Sequence, residues 1–271
     1  MRSRGSRTPR PTTRSCDLSK LIRTDLHIHT YLSDCGSPEA TFEAVVAAGL
    51  EAKLEAIGVS DHIFLPKHRE RARIARAALP REVDGMRVYV GCEADMQSPT
   101  RCAIDAEFAA TLDYVMIAAS HLYDPGVERG FIEQPRSMAA YMIELMRGAI
   151  ETGFADIITH PLHVPAPGCS FPDFVAAVDE RALREVARLA AESGVAFECN
   201  PSFLVKHAEA SKRLFTLLLE EGCTLAINSD AHSPRGIGCR APAYASEDDL
   251  RDLGITEERV FRIEERKATR R

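Results

Sequence analysis

From residue 21 onward the chain alternates two kinds of segment. Short apolar runs rich in Val and Ile occupy residues 24–27, 56–60, 86–92, 114–119, 156–159, 195–199 and 224–227. Runs of that length and composition read as strands. Between them lie longer segments with apolar residues three and four apart, the period of a helix with one buried face. In 135–151 the stripe is Met138, Tyr141, Met142, Leu145, Met146 and Ala149, with Pro135 at the start and Gly153 beyond the end. In 180–192 it is Leu183, Val186, Ala187 and Ala190, closed by Gly194, and 211–221 closes at Gly222. Ser37-Pro38-Glu39 offers an N-cap, a first-turn proline and an early acid for a helix over 40–48. Each stop glycine stands just before a strand, where a left-handed cap leads into an αβ loop.

Seven strands alternating with helices predict parallel pairing through right-handed crossovers, hence an α/β fold in a single domain. No G-x-G-x-x-G or G-x-x-x-x-G-K-[ST] loop follows an early strand, which weakens an open nucleotide-binding sheet. The polar residues carry more weight. Of nine histidines, six stand at or just past the end of a strand: His27, His29, His62, His121, His160 and His232. Glu93 with Asp95, Asn200 and Asp230 hold equivalent places. In a closed barrel these ends converge on one mouth, whereas an open sheet spreads them by about 4.8 Å per strand. The expectation is a distorted, TIM-like (β/α)7 barrel.

Residues two apart on a strand share a face, so His27 and His29 point together, as do Asp230 and His232 if the chain stays extended there. Imidazole mixed with carboxylate suits zinc, manganese or iron rather than magnesium or calcium. At least eight candidate ligands exceed the needs of one ion. Glu93, with two oxygens, is the candidate bridge.

Composition narrows the class without naming a chemistry. Apolar residues are 45% and charged residues 27% of 271, ordinary for a globular chain, and no run nears the ~18–20 apolar residues of a membrane span. The net charge is −6, although Arg2, Arg4, Arg7, Arg10 and Arg14 crowd the first fifteen positions without an acid. The remaining body is therefore more acidic still and does not suit stable nucleic-acid binding. Eight scattered cysteines form no C-x-x-C pair, which points to reduced thiols in the cytoplasm. Residues 1–20 read as a disordered Arg-rich tail and 21–256 as the metal-dependent domain. Residues 257–271 read as a charged helix, with Val260 and Ile263 touching the body.

The ordered set Asp25-Leu-His-Ile-His-Thr30, Ser33-Asp34, Ser60-Asp-His62, Gly91-Cys-Glu93, Ser120-His121, Thr159-His-Pro161, Glu198-Cys-Asn200 and Ser229-Asp-Ala-His232 resembles the polymerase and histidinol phosphatase (PHP) superfamily of metal-dependent phosphoesterases. The resemblance spans residues 21 to about 240. It implies a trinuclear site holding three divalent transition metals. His27, His29, Glu93 and Asp230 would hold the first, and Glu93, His121 and His160 the second. His62, His232 and Asp34 would hold the third. Other members carry a histidine at the position of Cys35, so a Cys35 thiolate is the alternative donor there and would favour zinc.

The implied chemistry is hydrolysis of a phosphate ester by a metal-bound water, its pKa lowered to generate hydroxide, with Glu93 bridging. Asp61 and Asp95 are candidates to orient ligating imidazoles, or else caps. Arg235, Lys206, His207 and Asn200 are candidate substrate contacts, with His163 at the mouth. The expected substrate is a small phosphorylated metabolite, as for a histidinol-phosphatase-like phosphomonoesterase, with no membrane partner and the oligomeric state open. The competing readings are a nuclease acting on phosphodiesters and a non-catalytic metal-stabilised module. Lack of Trp and only 6% aromatic residues disfavour a strand-binding groove. An amide or lactone hydrolase would need a bridging lysine, and Lys53 and Lys67 are not at strand ends.

Overall fold

The apolar runs become the strands of an α/β fold built on parallel pairing. The structure, a computed structural model, describes residues 21–128, 133–164 and 168–269, so the Arg-rich segment 1–20 lies outside the described residues. The strands are β1 (Thr24–Ile28), β2 (Ala56–Val59), β3 (His62–Ile63), β4 (Glu82–Val83), β5 (Met86–Val90), β6 (Glu93–Ser98), β7 (Arg101–Cys102), β8 (Met116–Ala118), β9 (Ile157–Thr159), β10 (Ala196–Cys199) and β11 (Leu225–Ile227). The helices are α1 (Phe42–Glu51), α2 (Arg69–Ala78), α3 (Ala106–Ala109), α4 (Pro135–Glu151), α5 (Phe171–Ala177), α6 (Glu180–Ser193), α7 (Pro201–Lys206), α8 (Ala208–Glu220), α9 (Glu247–Asp252) and α10 (Ile263–Thr269). No helix among the described residues is long and apolar enough to cross a membrane.

One sheet runs β1-β2-β5-β4; the other runs β11-β10-β9-β8-β6-β3, with β7 beside β6. The pairings β4·β5 and β6·β7 are antiparallel and the remaining ones are parallel. Two runs are interrupted, β2 from β3 by Ser60-Asp61 and β5 from β6 by Gly91-Cys92. Register survives the break, because Val59 faces Val90 and His62 faces Glu93 in step. Glu93 thus opens a strand, where the sequence pattern had placed it just past the end of one. On the opposite flank, the amide of His29 donates to the Ala231 carbonyl (2.9 Å) and that of Ala231 to the His27 carbonyl (3.1 Å). A parallel bridge between Ile28 and Ala231 joins the first strand to the last.

The strands are buried on both faces, which explains their unbroken apolar character. Ile117, Ile158, Phe197, Leu225 and Ile227 pack outward under the helices. Met116, Ile157, Ala196 and Ala226 turn to the other face, where they meet Leu26, Tyr114, Phe261 and Ile263 in a second cluster. Tyr114 is fully buried, and its hydroxyl donates to the carbonyls of Leu26 (2.6 Å) and Val59 (3.2 Å). Its phenol occupies the space a side chain would need at Gly58 and Gly91, where an added Cβ would meet the hydroxyl oxygen at 2.4 Å and a ring carbon at 2.6 Å. That close approach is the reason for two glycines inside apolar runs.

The helix signals are met to different degrees. Pro135 opens α4, and Gly194 closes α6 in the left-handed conformation at φ 64°. The helix expected over 40–48 instead begins at Phe42, with Thr41 accepting from the Ala44 amide. Ser37 is occupied elsewhere: its carbonyl accepts from Ala40 and its amide donates to the His232 carbonyl, so it ties two loops together. Past residue 257 the chain forms a one-turn 3-10 helix at Glu257–Arg259 and then α10, and not one continuous helix.

Replacing Gly91 by Ala should destabilise the protein by about 1–3 kcal/mol, the range for overpacking a rigid core. Denaturant unfolding with an unchanged m-value is the check, and a midpoint equal to wild type would show that Tyr114 has room to give.

Candidate metal centre

Polar residues gather where the inner strand face runs out of apolar ones. Along that face Ala196 is followed by Glu198, Ile157 by Thr159, and Ala226 by Asn228, each two residues on. An apolar layer at the N-terminal ends of the strands thus gives way to a polar layer at their C-terminal ends. His160 (φ 22°) and Asp230 (φ 53°) lie just past β9 and β11 in a backbone region that non-glycine residues rarely enter. Their neighbours hold them there. The His160 amide donates to Glu198 Oε2 (2.8 Å), and Asp25 Oδ1 accepts from the Ser229 amide (3.1 Å).

Glu93 is the hub. Fully buried, it sets Oε1 2.8 Å from His160 Nε2 and 3.7 Å from His121 Nε2. Its Oε2 lies 3.0 Å from His62 Nδ1, 3.2 Å from His27 Nε2 and 3.5 Å from His29 Nε2. Asp230 Oδ1 approaches His29 Nε2 (3.2 Å) and His27 Nε2 (3.4 Å) from the far side. Three imidazoles are anchored from behind. Glu198 Oε1 takes the Nδ1 proton of His27 at 2.7 Å, and Asp95 Oδ1 that of His121 at 2.9 Å. Ser120 Oγ meets His160 Nδ1 at 2.9 Å. Each anchor fixes the ring and turns its Nε2 toward Glu93.

Whether such a set suits a cation is tested by its unmet polar atoms. His62 Nδ1 and Glu93 Oε2 are buried and 3.0 Å apart, yet neither makes a hydrogen bond. Two polar atoms that close, off the line of a well-formed hydrogen bond, are suited to share a positive centre. The donor atoms also fall into overlapping groups, each within 4.8 Å: His27, His29 and Asp230; His27, Glu93 and His160; His62, Glu93 and His121; His29, Cys35 and His62; Asp95, His121 and Asp124. Nitrogen, oxygen and sulfur donors in that mixture fit a divalent transition metal.

Charge among these side chains is shared through protons. Burial would push His27 down, but Glu198, Asp230 and Glu93 outweigh it and hold its pKa well above the usual imidazole range. His62 is likewise carried up to about 11, chiefly by Glu93, and His121 to about 9 by Asp95 and Glu93, both against burial. Burial opposes ionisation of Glu93, yet His27, His62 and His121 hold it well below the ordinary carboxylate value. Burial would raise the Cys35 thiol, but hydrogen bonds with His232 and His62 bring it down to about 7.

The structure brings most of the expected site residues together: His27, His29, His62, Glu93, His121, His160 and Asp230. His232 flanks them, its ring 4.6 Å from that of His29 and its Nδ1 2.8 Å from the Asp230 carbonyl. Asp34, expected to complete a donor set, does not join them. It is 79% exposed and paired with Arg71 at 3.0 Å. Asp61 makes no direct hydrogen bond to an imidazole; it accepts from the Thr30 amide, the Thr30 hydroxyl and the Ser33 hydroxyl, and so organises the loop, with Ser33 Oγ 3.5 Å from His29 Nδ1.

Asn200, expected to touch substrate, is a buried cap whose Oδ1 accepts from the Ser202 amide and whose Nδ2 donates to the Ser229 carbonyl. Arg235 lines a surface groove of about 520 Å³ against α1, with Glu51 and Arg240. Lys206 and His207 end α7, where a row of rings (His160, His163, Phe203, Phe171, His207) leads away from the cluster. Glu198, which anchors both His27 and His160, had no role in the sequence reading. Its signal was a carboxylate inside the apolar run Val195–Cys199.

The profile of the PHP domain family matches residues 25–202. A protein of Shewanella sp. (strain ANA-3) named "Probable phosphatase" is 33% identical over 168 residues, 59% of this chain and 56% of that protein. Another of that name, from Edwardsiella ictaluri (strain 93-146), is 28% identical over 225 residues, 78% of this chain and 79% of its own length. The chain spans little more than half the length of the Shewanella relative. The crystal structure of histidinol phosphate phosphatase from Lactococcus lactis subsp. lactis Il1403, complexed with zinc, L-histidinol and phosphate, has a TM-score of 0.55 at 15% identity. The match covers 86% of this chain and 93% of that one, and the likeness is one of fold.

Raised imidazole pKa values set the sign of a pH effect. His27, His62 and His121 keep protons at neutral pH that a bound cation must displace. Zinc uptake should therefore release protons, and apparent affinity should climb with pH up to about 9, where His121 gives up its proton, and more gently beyond it toward about 11 for His62. Calorimetric titration in buffers of different ionisation enthalpy measures the proton count; uptake without proton release would contradict the charge distribution described.

Proposed function

The chain belongs to the PHP domain family, and from that premise we propose that it is a metal-dependent phosphoesterase hydrolysing a small phosphorylated metabolite. The observation that carries this reading is Glu93, whose two oxygens each face a different set of imidazole nitrogens across one buried cluster. A carboxylate so divided is suited to bridge two ions. In this reading His27, His29, Glu93 and Asp230 hold one, and Glu93, His121 and His160 the second. His62 and His232 contribute to a third. Zinc, manganese and iron are the candidates. The seven described cysteines are free thiols, in keeping with a reducing cytoplasm. The bridge between Ile28 and Ala231, with the register kept across both strand breaks, supports closure into a distorted seven-stranded barrel spanning residues 21–256.

When bound, the ions supply Lewis acidity, lowering the pKa of a coordinated water toward neutrality and offsetting charge on the phosphoryl oxygens. The residues of the chain do the remaining work. Glu198 holds a proton at His27 Nδ1 and Asp95 one at His121 Nδ1, so that each Nε2 keeps its lone pair for a cation. Glu198 also holds the His160 backbone in its left-handed turn. His163, whose pKa burial lowers to about 4, is neutral and presents an uncharged ring beside His160. Lys206 and His207 lie at the far end of that row of rings, where a cationic group would meet the charged or polar end of a substrate.

The test is turnover by metal-replete protein of aryl phosphates, a panel of phosphorylated metabolites including histidinol phosphate, and short single-stranded oligonucleotides. Monoester hydrolysis that chelation abolishes and divalent metal restores is the expected result. Preference for the oligonucleotide would transfer the assignment to a nuclease, and no turnover of any of them would overturn it. Glu198→Ala should cost about 10–100-fold in activity or metal affinity, the usual loss when the group orienting a metal-bound imidazole is removed.

A further inference from the structure

Two adjacent side chains, Asp34 and Cys35, compete for one position beside His62, and the backbone decides between them. The Ser33 amide donates to the Thr30 carbonyl (3.1 Å) and the Gly36 amide to the Ser33 carbonyl (3.0 Å), which winds residues 30–36 into consecutive turns. Asp61 holds the inside of the winding through Thr30 and Ser33, and the Ser37 amide fastens its end to the His232 carbonyl (2.8 Å). The path is tight enough that a Cβ at Gly36 would stand 1.9 Å from the Thr30 carbonyl oxygen. In this register Asp34 projects toward α2, where Arg71 binds it while also donating to the His62 carbonyl (3.1 Å). Asp34 is absent from every group of clustered donors among the described residues. Cys35 is in one, with His29 and His62.

A second observation points the same way. His62, the imidazole beside Cys35, turns its Nδ1 to the fully buried Glu93 Oε2 at 3.0 Å without a well-formed hydrogen bond, so its ring is already directed into the cluster of donor atoms. Hard, exposed Asp34 is neutralised by an arginine; the sulfur is left facing two imidazoles. We propose that Cys35, not Asp34, is the donor that completes the set around His62 and His232, binding as a thiolate and making this position selective for zinc over manganese or magnesium. The thiol proton leaves to solvent as the sulfur–metal bond forms, so no oxidant or reductant is involved. The selectivity follows from softness: a thiolate suits zinc, whereas carboxylate and water suit the harder ions. The proposal rests on the metal-centre reading above and adds to it a ligand particular to this chain.

X-ray absorption at the zinc edge of the zinc-loaded protein tests it. A sulfur shell at about 2.3 Å is expected in wild type, lost in Cys35→Ser and kept in Asp34→Asn. A wild-type spectrum fitted by nitrogen and oxygen alone, or a sulfur shell that survives Cys35→Ser, overturns the thiolate and leaves the metal-centre reading standing. Protein that retains no metal overturns both. Should Cys35→Ser fail to fold, alkylation of the wild type serves instead. Peptide mapping should find the exposed Cys35 modified by iodoacetamide in metal-free protein and protected when zinc is bound, and equal modification in both states counts against the proposal.

Discussion

A carboxylate with no solvent exposure must find compensating charge, and Glu93 has five imidazoles for that purpose. An isolated charge in such a place would neutralise itself by taking up a proton. Around Glu93 the fold does the opposite, directing the ends of β1, β8 and β9 and the start of β3 at it so that the negative form persists. Those histidines in turn need something to hold their other nitrogens, and Glu198, Asp95 and Ser120 provide it. The interior beneath the site is apolar and filled by Tyr114, so the polar layer is confined to one end. Packing at one end and electrostatics at the other are therefore two consequences of one alternation along each strand.

Much of this was legible in the sequence because it depends on period. Apolar runs fixed the central strands, and stop glycines fixed the ends of helices such as α6, since both follow from local steric rules. The cluster itself was legible through His27-x-His29 and Asp230-x-His232, as strand ends in a parallel fold share a side. What was hidden depends on contacts between distant segments. Ser37 carries every local mark of an N-cap, yet its amide is claimed by the loop of His232, 195 positions away, and Thr41 caps the helix instead. The interruption at Gly91-Cys92 follows from the ring of Tyr114, which no pattern within the run discloses. Asp34 was the chemically natural ligand in a stretch where only the winding of the turn, and an arginine from α2, could turn it outward.

Glu198 and Asn200 make the same point within two residues. Asn200 looked available to a ligand, but both ends of its amide are consumed in capping α7 and holding Ser229. Glu198 sits inside an apolar run and so drew less notice, yet it binds His27 from one oxygen and the His160 backbone from the other, while Asn228 donates to it at 3.1 Å. A polar residue in a run that burial should have kept apolar is a stronger signal than one in a loop, because its desolvation has to be offset by partners. The family profile reaches residue 202, so it includes Glu198 and stops short of Asn228, Asp230 and His232.

That last separation bears on how the molecule is made. His27 and His29 are synthesised about 200 residues before Asp230, with the bridge from Ile28 to Ala231 between them. A ribosome extends the polypeptide from its amino terminus, so the first strand must wait for about 200 further residues before its final neighbour exists. Until then β1 has one edge paired by β2 and the other bare, and its imidazoles lack the aspartate they will share. Assembly of the cluster is thus a late event that waits for the segment carrying Asp230, and a chain cut short before that residue has most of its helices but lacks the aspartate that faces His27 and His29.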